Sequence, residues 1–421
     1  MMKVTLQAKL NDSHLDANQS QTQRQLQIAV ASLPDDSKPR LPLNLCLVLD
    51  HSGSMQGKPI TTVKEAAIAI LNKLQPSDGI SSTLSDRLSV VAFDHEAKVI
   101  VKNQEISNLS LIKDQINRLK ADGGTSIDEG LKLGLQEIAE GKQNRVSQIW
   151  LLTDGENEHG NNNRCLQLAK LAAECNVTLH TLGFGSHWNQ DVLEKIADEA
   201  NGSLTYIETP EKAANAFTYL FSRIESVRLT NSYLFLELMP NVRLAELKPI
   251  AQVSPDTIEL PLIKEGSKIA VRLGDLMTKE KIILANLYLD KLPPGKQTIA
   301  KIQLKYDDPA LNATDLYSEN IPIEIEVQPT YTPQVNPEVQ KSILTLAKYR
   351  QTQLAEAKLQ QGDNQGAATM LQTAAKTALQ LGDETAATVL QTSATLLQSG
   401  EELSPADQKK TKIVSKTIIQ S

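Results

Sequence analysis

Aromatic residues are scarce: Phe, Trp and Tyr together make up only 4% of the 421 residues. Any core must therefore rest on Leu, Ile, Val and Ala. Cysteine is nearly absent too, with three residues, Cys46, Cys165 and Cys175. The first lies inside an apolar run and the other two on one expected helix. That spacing gives neither a disulfide framework nor a zinc site, and reduced, buried thiols are expected. Positive charge is not in excess, since 43 Lys and Arg face 50 Asp and Glu for a net charge of −7. With no Lys/Arg cluster interleaved with aromatics, nucleic acid is not expected as the main partner. Long hydrophobic runs are also missing. None approaches a membrane span, and the start, Met1-Met2-Lys3-Val4-Thr5-Leu6-Gln7, is too polar for a secretory signal. A cytoplasmic protein of two or three domains is expected from this balance.

Against these absences one stretch stands out, Leu45-Cys46-Leu47-Val48-Leu49-Asp50-His51-Ser52-Gly53-Ser54-Met55. Leu43 to Leu49 reads as a strand buried on both faces, as in a parallel sheet. Asp50 stands where that strand leaves the sheet, and open α/β sheets gather ligands at the carboxyl ends of their strands. Asp50, Ser52 and Ser54 present hard oxygens at alternate positions, which suit Mg²⁺, Ca²⁺ or Mn²⁺ better than zinc or copper. Further oxygens occur in Asp122-Gly123-Gly124-Thr125-Ser126, before an amphipathic helix. Others follow in Thr153-Asp154-Gly155, at the end of a second buried strand starting near Ile149.

Asp50-x-Ser52-x-Ser54, then Thr125 after a glycine pair, then Asp154 in Thr-Asp-Gly, resembles the metal-ion-dependent adhesion site of von Willebrand factor A domains. All five family positions match, and the resemblance covers about residues 41–227. It implies direct ligation by Asp50 and the two serines. Thr125 would ligate directly or through water, and Asp154 usually through water. Few direct carboxylates would then surround the cation, and an open position would await an Asp or Glu from a partner.

Other readings of the same residues fit less of the pattern. Asp50 as a helix N-cap, with Ser52 and Ser54 as turn residues, leaves Thr125 and Asp154 unexplained. A phosphotransferase nucleophile at Asp50 wants a second acid two residues on, where Ser52 stands. A Ser-His pair of neighbours, Ser52 and His51, lacks a nucleophile elbow. Gly57-Lys58 lacks the upstream glycines of a phosphate loop.

The expected fold class is α/β, a doubly wound, mostly parallel sheet over 40–227. Strands are expected at Leu43–Leu49, Leu88–Phe93, Lys98–Val101, Gln148–Thr153, Thr178–Gly183 and Leu204–Ile207. Helices are expected at Lys58–Leu74, Leu109–Leu119, Ile127–Glu140, Asn163–Cys175, Gln190–Ala200 and Glu211–Ile224. A loop over 77–85 is an insertion relative to the family. Residues 3–10 and 26–30 alternate as half-buried strands, and 228–330 reads as many short strands between Gly/Pro turns. A discontinuous β-sandwich over 1–36 and 228–330 is expected, with the α/β domain inserted into it and 34–39 as a linker. From 336 to 400 the pattern is helical, about three antiparallel helices packing on the sandwich. Gly362-Asp363 and Gly382-Asp383 each supply a stop and the next cap. Residues 401–421 read as a flexible tail whose lysines flank Thr411, Ser415 and Thr417, candidate phosphorylation sites.

On the metal face, Glu156, Asn157, Glu158, His159, His187 and an exposed Trp188 are candidate rim residues. His180 reads as a satisfied core histidine. The favoured function is a non-enzymatic, cytoplasmic adaptor that binds a protein partner through the cation. One alternative is a non-catalytic partner subunit of a chelatase or AAA-type ATPase machine. Another is a metal-dependent phosphotransferase or hydrolase using Asp50.

Overall fold

The computed structural model describes residues 3–33, 40–74, 85–185, 188–265 and 268–416. The expected linker at 34–39 and nearly all of the 77–85 loop lie outside these residues, as do His187 and Thr417. The chain divides into two compact units, Met1–Leu33 with Ser232–Tyr306 and Asp315–Ser421, and Pro34–Asn231 with Asp307–Thr314.

The N-terminal residues form β1 (Val4–Leu10), β2 (His14–Asp16) and β3 (Gln21–Ser32). Leu26, Ile28 and Val30 on β3 are fully enclosed, the period-two burial of a strand facing a core. β2 lies in the polar stretch between β1 and β3. It pairs in parallel through Glu326↔His14 and Val327↔Leu15.

The inserted unit alternates strands and helices. In order they are β4 (Leu43–Asp50), α1 (Lys58–Lys73), β5 (Arg87–Phe93), β6 (Ala97–Glu105), α2 (Leu109–Asn117) and α3 (Ile127–Glu140). Then come β7 (Val146–Thr153), α4 (Asn162–Glu174), β8 (Val177–Phe184), α5 (Gln190–Glu199), β9 (Leu204–Ile207) and α6 (Pro210–Glu225). The sheet order is β6-β5-β4-β7-β8-β9. All neighbours are parallel except β5 and β6. Every residue of β4, β7 and β8 is buried, because helices cover both faces. On one face Cys46, Val48, Ile149 and Leu151 pack beneath α3, α4 and α5. On the other, Trp150 stacks on Phe217 of α6 at 6.0 Å. From β4 the chain goes to β5 and β6 on one side and then returns to β7 on the other, so Asp50 ends the strand at the topological switch point, where such sheets open a crevice.

The strands beyond α6 are β10 (Val227–Leu238), β11 (Val242–Leu244), β12 (Ile250–Ser254), β13 (Ile258–Glu259), β14 (Ile263–Glu265) and β15 (Lys268–Met277). These are followed by β16 (Lys281–Asp290), β17 (Gly295–Asp308), β18 (Ala313–Tyr317) and β19 (Ile321–Gln328). One sheet runs β1-β3-β16-β12-β13, with β11 on β16. The other runs β14-β15-β10-β17-β19-β2, with β18 on β17. β3 pairs with β16 over ten residues, from Lys281↔Val30 to Asp290↔Gln21. The strands at the start of the chain thus find their partners beyond the insertion, completing a β-sandwich as the alternation implied.

Four helices end the described chain: α7 (Pro337–Gln360), α8 (Asn364–Gln380), α9 (Glu384–Gln398) and α10 (Pro405–Lys416). Asn336 caps α7, accepting from the backbone N–H groups of Glu338 and Val339. Asp363 and Asp383 cap α8 and α9, accepting from Gly366 and Ala386 at 2.8 and 3.0 Å. Gly362 and Gly382 take φ of 78° and 75°, the left-handed stop that the Gly-Asp echo announced. Val339, Leu346 and Tyr349 of α7 pack against Ala251, Val253 and Leu284 of the sandwich.

The expected flexible tail is corrected here. Residues Pro405–Lys416 are a helix, and Thr411 and Ser415 are buried. Leu403 and Val414 join the apolar cluster of α8 and α9, Ser393 and Thr411 hydroxyls meet at 2.9 Å, and Lys412 Nζ reaches Glu356 at 3.1 Å. Lysine-rich composition hid a helix that docks through polar contacts as well as apolar ones.

Candidate functional site

Four loops at the carboxyl end of the α/β sheet interlock by main-chain hydrogen bonds. His51 N–H donates to Phe93 O at 2.9 Å, Asp122 N–H to His51 O at 2.8 Å, and Gly53 N–H to Gly123 O at 2.9 Å. Ser126 N–H donates to Asp94 O at 2.6 Å, and His159 N–H to Thr125 O at 3.0 Å. The three sequence pieces named above, far apart in the chain, therefore meet on one face.

Asp50 lies deepest, with no exposure. One carboxylate oxygen accepts from Ser52 N–H at 2.8 Å and the other from the Thr153 hydroxyl at 2.5 Å. Above it the Ser52 and Ser54 hydroxyls stand 3.0 Å apart, and Ser54 donates to Asp154 Oδ1 at 2.7 Å. Thr125 is buried at 3% exposure. Its hydroxyl and that of Ser54 converge on Gly155, where an added Cβ would lie 3.4 and 3.6 Å from them. The structure thus brings together all five expected residues, Asp50, Ser52, Ser54, Thr125 and Asp154.

Burial pushes the Asp50 carboxyl up to about 6, against the hydrogen bonds from Ser52 and Thr153 and with the nearby Asp154 charge adding to the rise. A charged group so enclosed asks for a positive neighbour. Two carboxylates and three hydroxyls make a hard-oxygen set, the donor chemistry of Mg²⁺, Ca²⁺ or Mn²⁺. Among the described residues no three His, Cys, Asp or Glu side chains gather as a metal site, so no softer nitrogen–sulfur cage competes with it. The residues present fit a divalent cation of the hard class.

The rim is partly as expected. Glu156, Glu158 and His159 are exposed, and Asn157 accepts from Ile127 N–H through its Oδ1 at 2.7 Å, capping α3 from a distant loop. Trp188 is a correction. It is 2% exposed, with Nε1–H donating to Gly185 O at 2.9 Å and its ring 5.7 Å from Tyr206. Burying apolar area stabilises by about 25 cal/mol per Å², and the indole is the largest such side chain, so it folds under the sheet end. His180 is the satisfied core histidine expected, with Nδ1 2.9 Å from the Ser203 hydroxyl. Sequence reasoning missed Thr153 as the holder of Asp50. It also missed Asp94, buried at the end of β5, whose carboxylate caps Glu96 N–H at 2.7 Å. Thr153 carried no signal beyond standing before Asp154.

All three cysteines are free, and burial pushes the Cys46 and Cys165 thiols up to about 12. No helix among the described residues is long and apolar enough to cross a membrane.

Comparison with known proteins agrees with this architecture. Residues 44–219 match the von Willebrand factor type A domain, and residues 337–421 match the Sll0103-like C-terminal alpha-helical domain. The chain is similar to a von Willebrand factor type A protein from Catenulispora acidiphila, with a TM-score of 0.81 at 17% identity. That match covers 99% of this chain and 97% of the other. The heavy chain H4 of inter-alpha-trypsin inhibitor from Bos taurus is 30% identical over 178 residues, 40% of this chain but 19% of that one. The uncharacterized protein sll0103 of Synechocystis sp. is 58% identical over 420 residues, covering 100% of this chain and 98% of that one. The chain therefore belongs to the Sll0103-like family, with a von Willebrand factor A domain and an α-helical C-terminal domain.

Proposed function

We propose that this protein is a metal-dependent adaptor of the cytosol. In this reading a divalent cation of the Mg²⁺ class sits at Asp50, Ser52, Ser54, Thr125 and Asp154 and receives an Asp or Glu side chain from a protein partner. The observation that carries it is the convergence of five oxygens with only two carboxylates among them. Such a set under-neutralises a 2+ ion and keeps it electrophilic towards an incoming carboxylate. Asp50 supplies charge from beneath the hydroxyls and holds the loop through Ser52 N–H. With both oxygens engaged and no exposure, it suits that role better than attack on a phosphate. The cation would compete with the Ser54–Asp154 hydrogen bond for the same lone pairs. The surrounding chain, at a net charge of −7, repels acidic partners, so the ion would be the local point of attraction that gives specificity. The three free thiols, two of them buried and Cys175 half-buried, support a reducing compartment.

The test is partner capture on the full chain with Mg²⁺ and with EDTA at constant ionic strength. Partners retained with Mg²⁺, released by EDTA and lost in Ser52→Ala/Ser54→Ala are expected. Partners held equally in both buffers would place recognition on the sandwich or the helices.

A further inference from the structure

His159 reaches Thr125 from a different loop. Its main chain and its ring both engage Thr125. The His159 N–H donates to Thr125 O at 3.0 Å, and Thr125 N–H donates to His159 Nδ1 at 3.4 Å. The imidazole also lies directly on Gly124, where an added Cβ would stand 2.2 Å from Cε1 and 2.3 Å from Nδ1. Only glycine admits the ring at that distance. Two residues earlier in the same loop, Asn157 holds Ile127 N–H at 2.7 Å. The loop that follows Asp154 therefore grips the Thr125 segment at consecutive alternate positions.

We propose that His159 is a positioning residue for the site, fixing the Thr125 hydroxyl beside Ser54 and coupling the Thr125 loop to the Asp154 loop. This deepens the cation reading above and rests on it. The ring acts as an acceptor at Nδ1 and as a plate over Gly124, and it need not touch the ion. Two loops joined in this way move together, so that contact with a partner on the exposed Glu156, Glu158 and His159 is passed to Thr125. His159 is exposed, so its removal leaves the core of the domain untouched and acts on the loop alone.

The experiment compares the full chain with His159→Ala and His159→Asn, because the Asn Oδ1 can take the acceptor position of Nδ1. Mn²⁺ alone is titrated by electron paramagnetic resonance. Amide exchange of the segment containing Thr125 is followed without metal by mass spectrometry. His159→Ala is expected to weaken Mn²⁺ binding about tenfold, the low end for groups that orient metal ligands, and to speed exchange of that segment. His159→Asn is expected to restore both. Binding and exchange unchanged in His159→Ala would overturn the proposal, and so would a loss that His159→Asn fails to restore. If the parent chain binds no Mn²⁺, the cation reading itself fails. The exchange rates then decide the positioning role alone: faster in Ala and restored in Asn supports it, and equal rates overturn it.

Discussion

Asp50 carries a charge that its surroundings oppose. Its folded pKa of about 6 lies above the ordinary 3.8 because burial disfavours the carboxylate. Such a group favours folding in its neutral form. Its contribution is complete below pH 3.8 and is lost as pH rises through about 6. Asp50→Asn keeps the shape and removes the charge. At pH 7 and without metal the variant is expected to be at least as stable as the parent in denaturant melts, yet to bind no cation. A variant that unfolds would instead show Asp50 to be a structural anchor. Asp12 behaves the opposite way. Burial raises its pKa, but hydrogen bonds from Tyr331, His14 and Gln334 and the charge of Arg24 outweigh this and hold it below the ordinary value. Its contribution is present above pH 3.8 and is lost as pH falls through the lower folded value. Asp12→Asn should cost about 2 kcal/mol at pH 7, as for hydrogen bonds to a charged group, and less near pH 2. A cost equal at both pH values would contradict the assignment. At this scale the sequence revealed the five site oxygens, since residue type and spacing carry that signal. It did not reveal that Thr153 holds Asp50 or that Trp188 turns inward, because side-chain direction depends on neighbours brought in by the fold.

Among the elements, the α/β strands and helices were legible to within a few residues. Uninterrupted apolar runs such as Leu43–Leu49 have one reading when flanked by amphipathic helices. β2 and α10 were not legible. β2 (His14–Asp16) is three residues long and exists because β19 offers it a parallel edge, a partner more than three hundred residues away. α10 is lysine-rich, and its burial depends on groups that sequence patterning scores as solvent-facing. The chief of these is Lys348 on α7, which is fully enclosed and donates to Asp383 at 2.8 Å and to Val414 O at 2.9 Å. One side chain thereby joins α7, the cap of α9 and the end of α10. Lys348→Ala should cost about 3–5 kcal/mol, because it leaves Asp383 buried without its partner. Lys348→Met combined with Asp383→Asn should cost much less, since Asn still caps Ala386 N–H and no charge remains. Hydrogen exchange in α10 should rise in both variants, since neither Ala nor Met donates to Val414 O. Exchange equal to the parent's in both would remove Lys348 as the tie.

For the whole molecule, the proposed cation site belongs to one of two compact units. Binding should stabilise that unit by about 2.7 kcal/mol at a hundredfold excess over Kd. Added amide protection should be confined to residues 40–231 and 307–314. Protection spread into α7–α10 would show coupling that the site geometry does not require. The most direct test of the central claim is calorimetric titration of Mn²⁺ into the full chain and into Ser52→Ala/Ser54→Ala at pH 7. One ion per parent chain and none at this site in the double variant are expected, with both melting at similar temperatures. Equal affinity in the two proteins would contradict the claim.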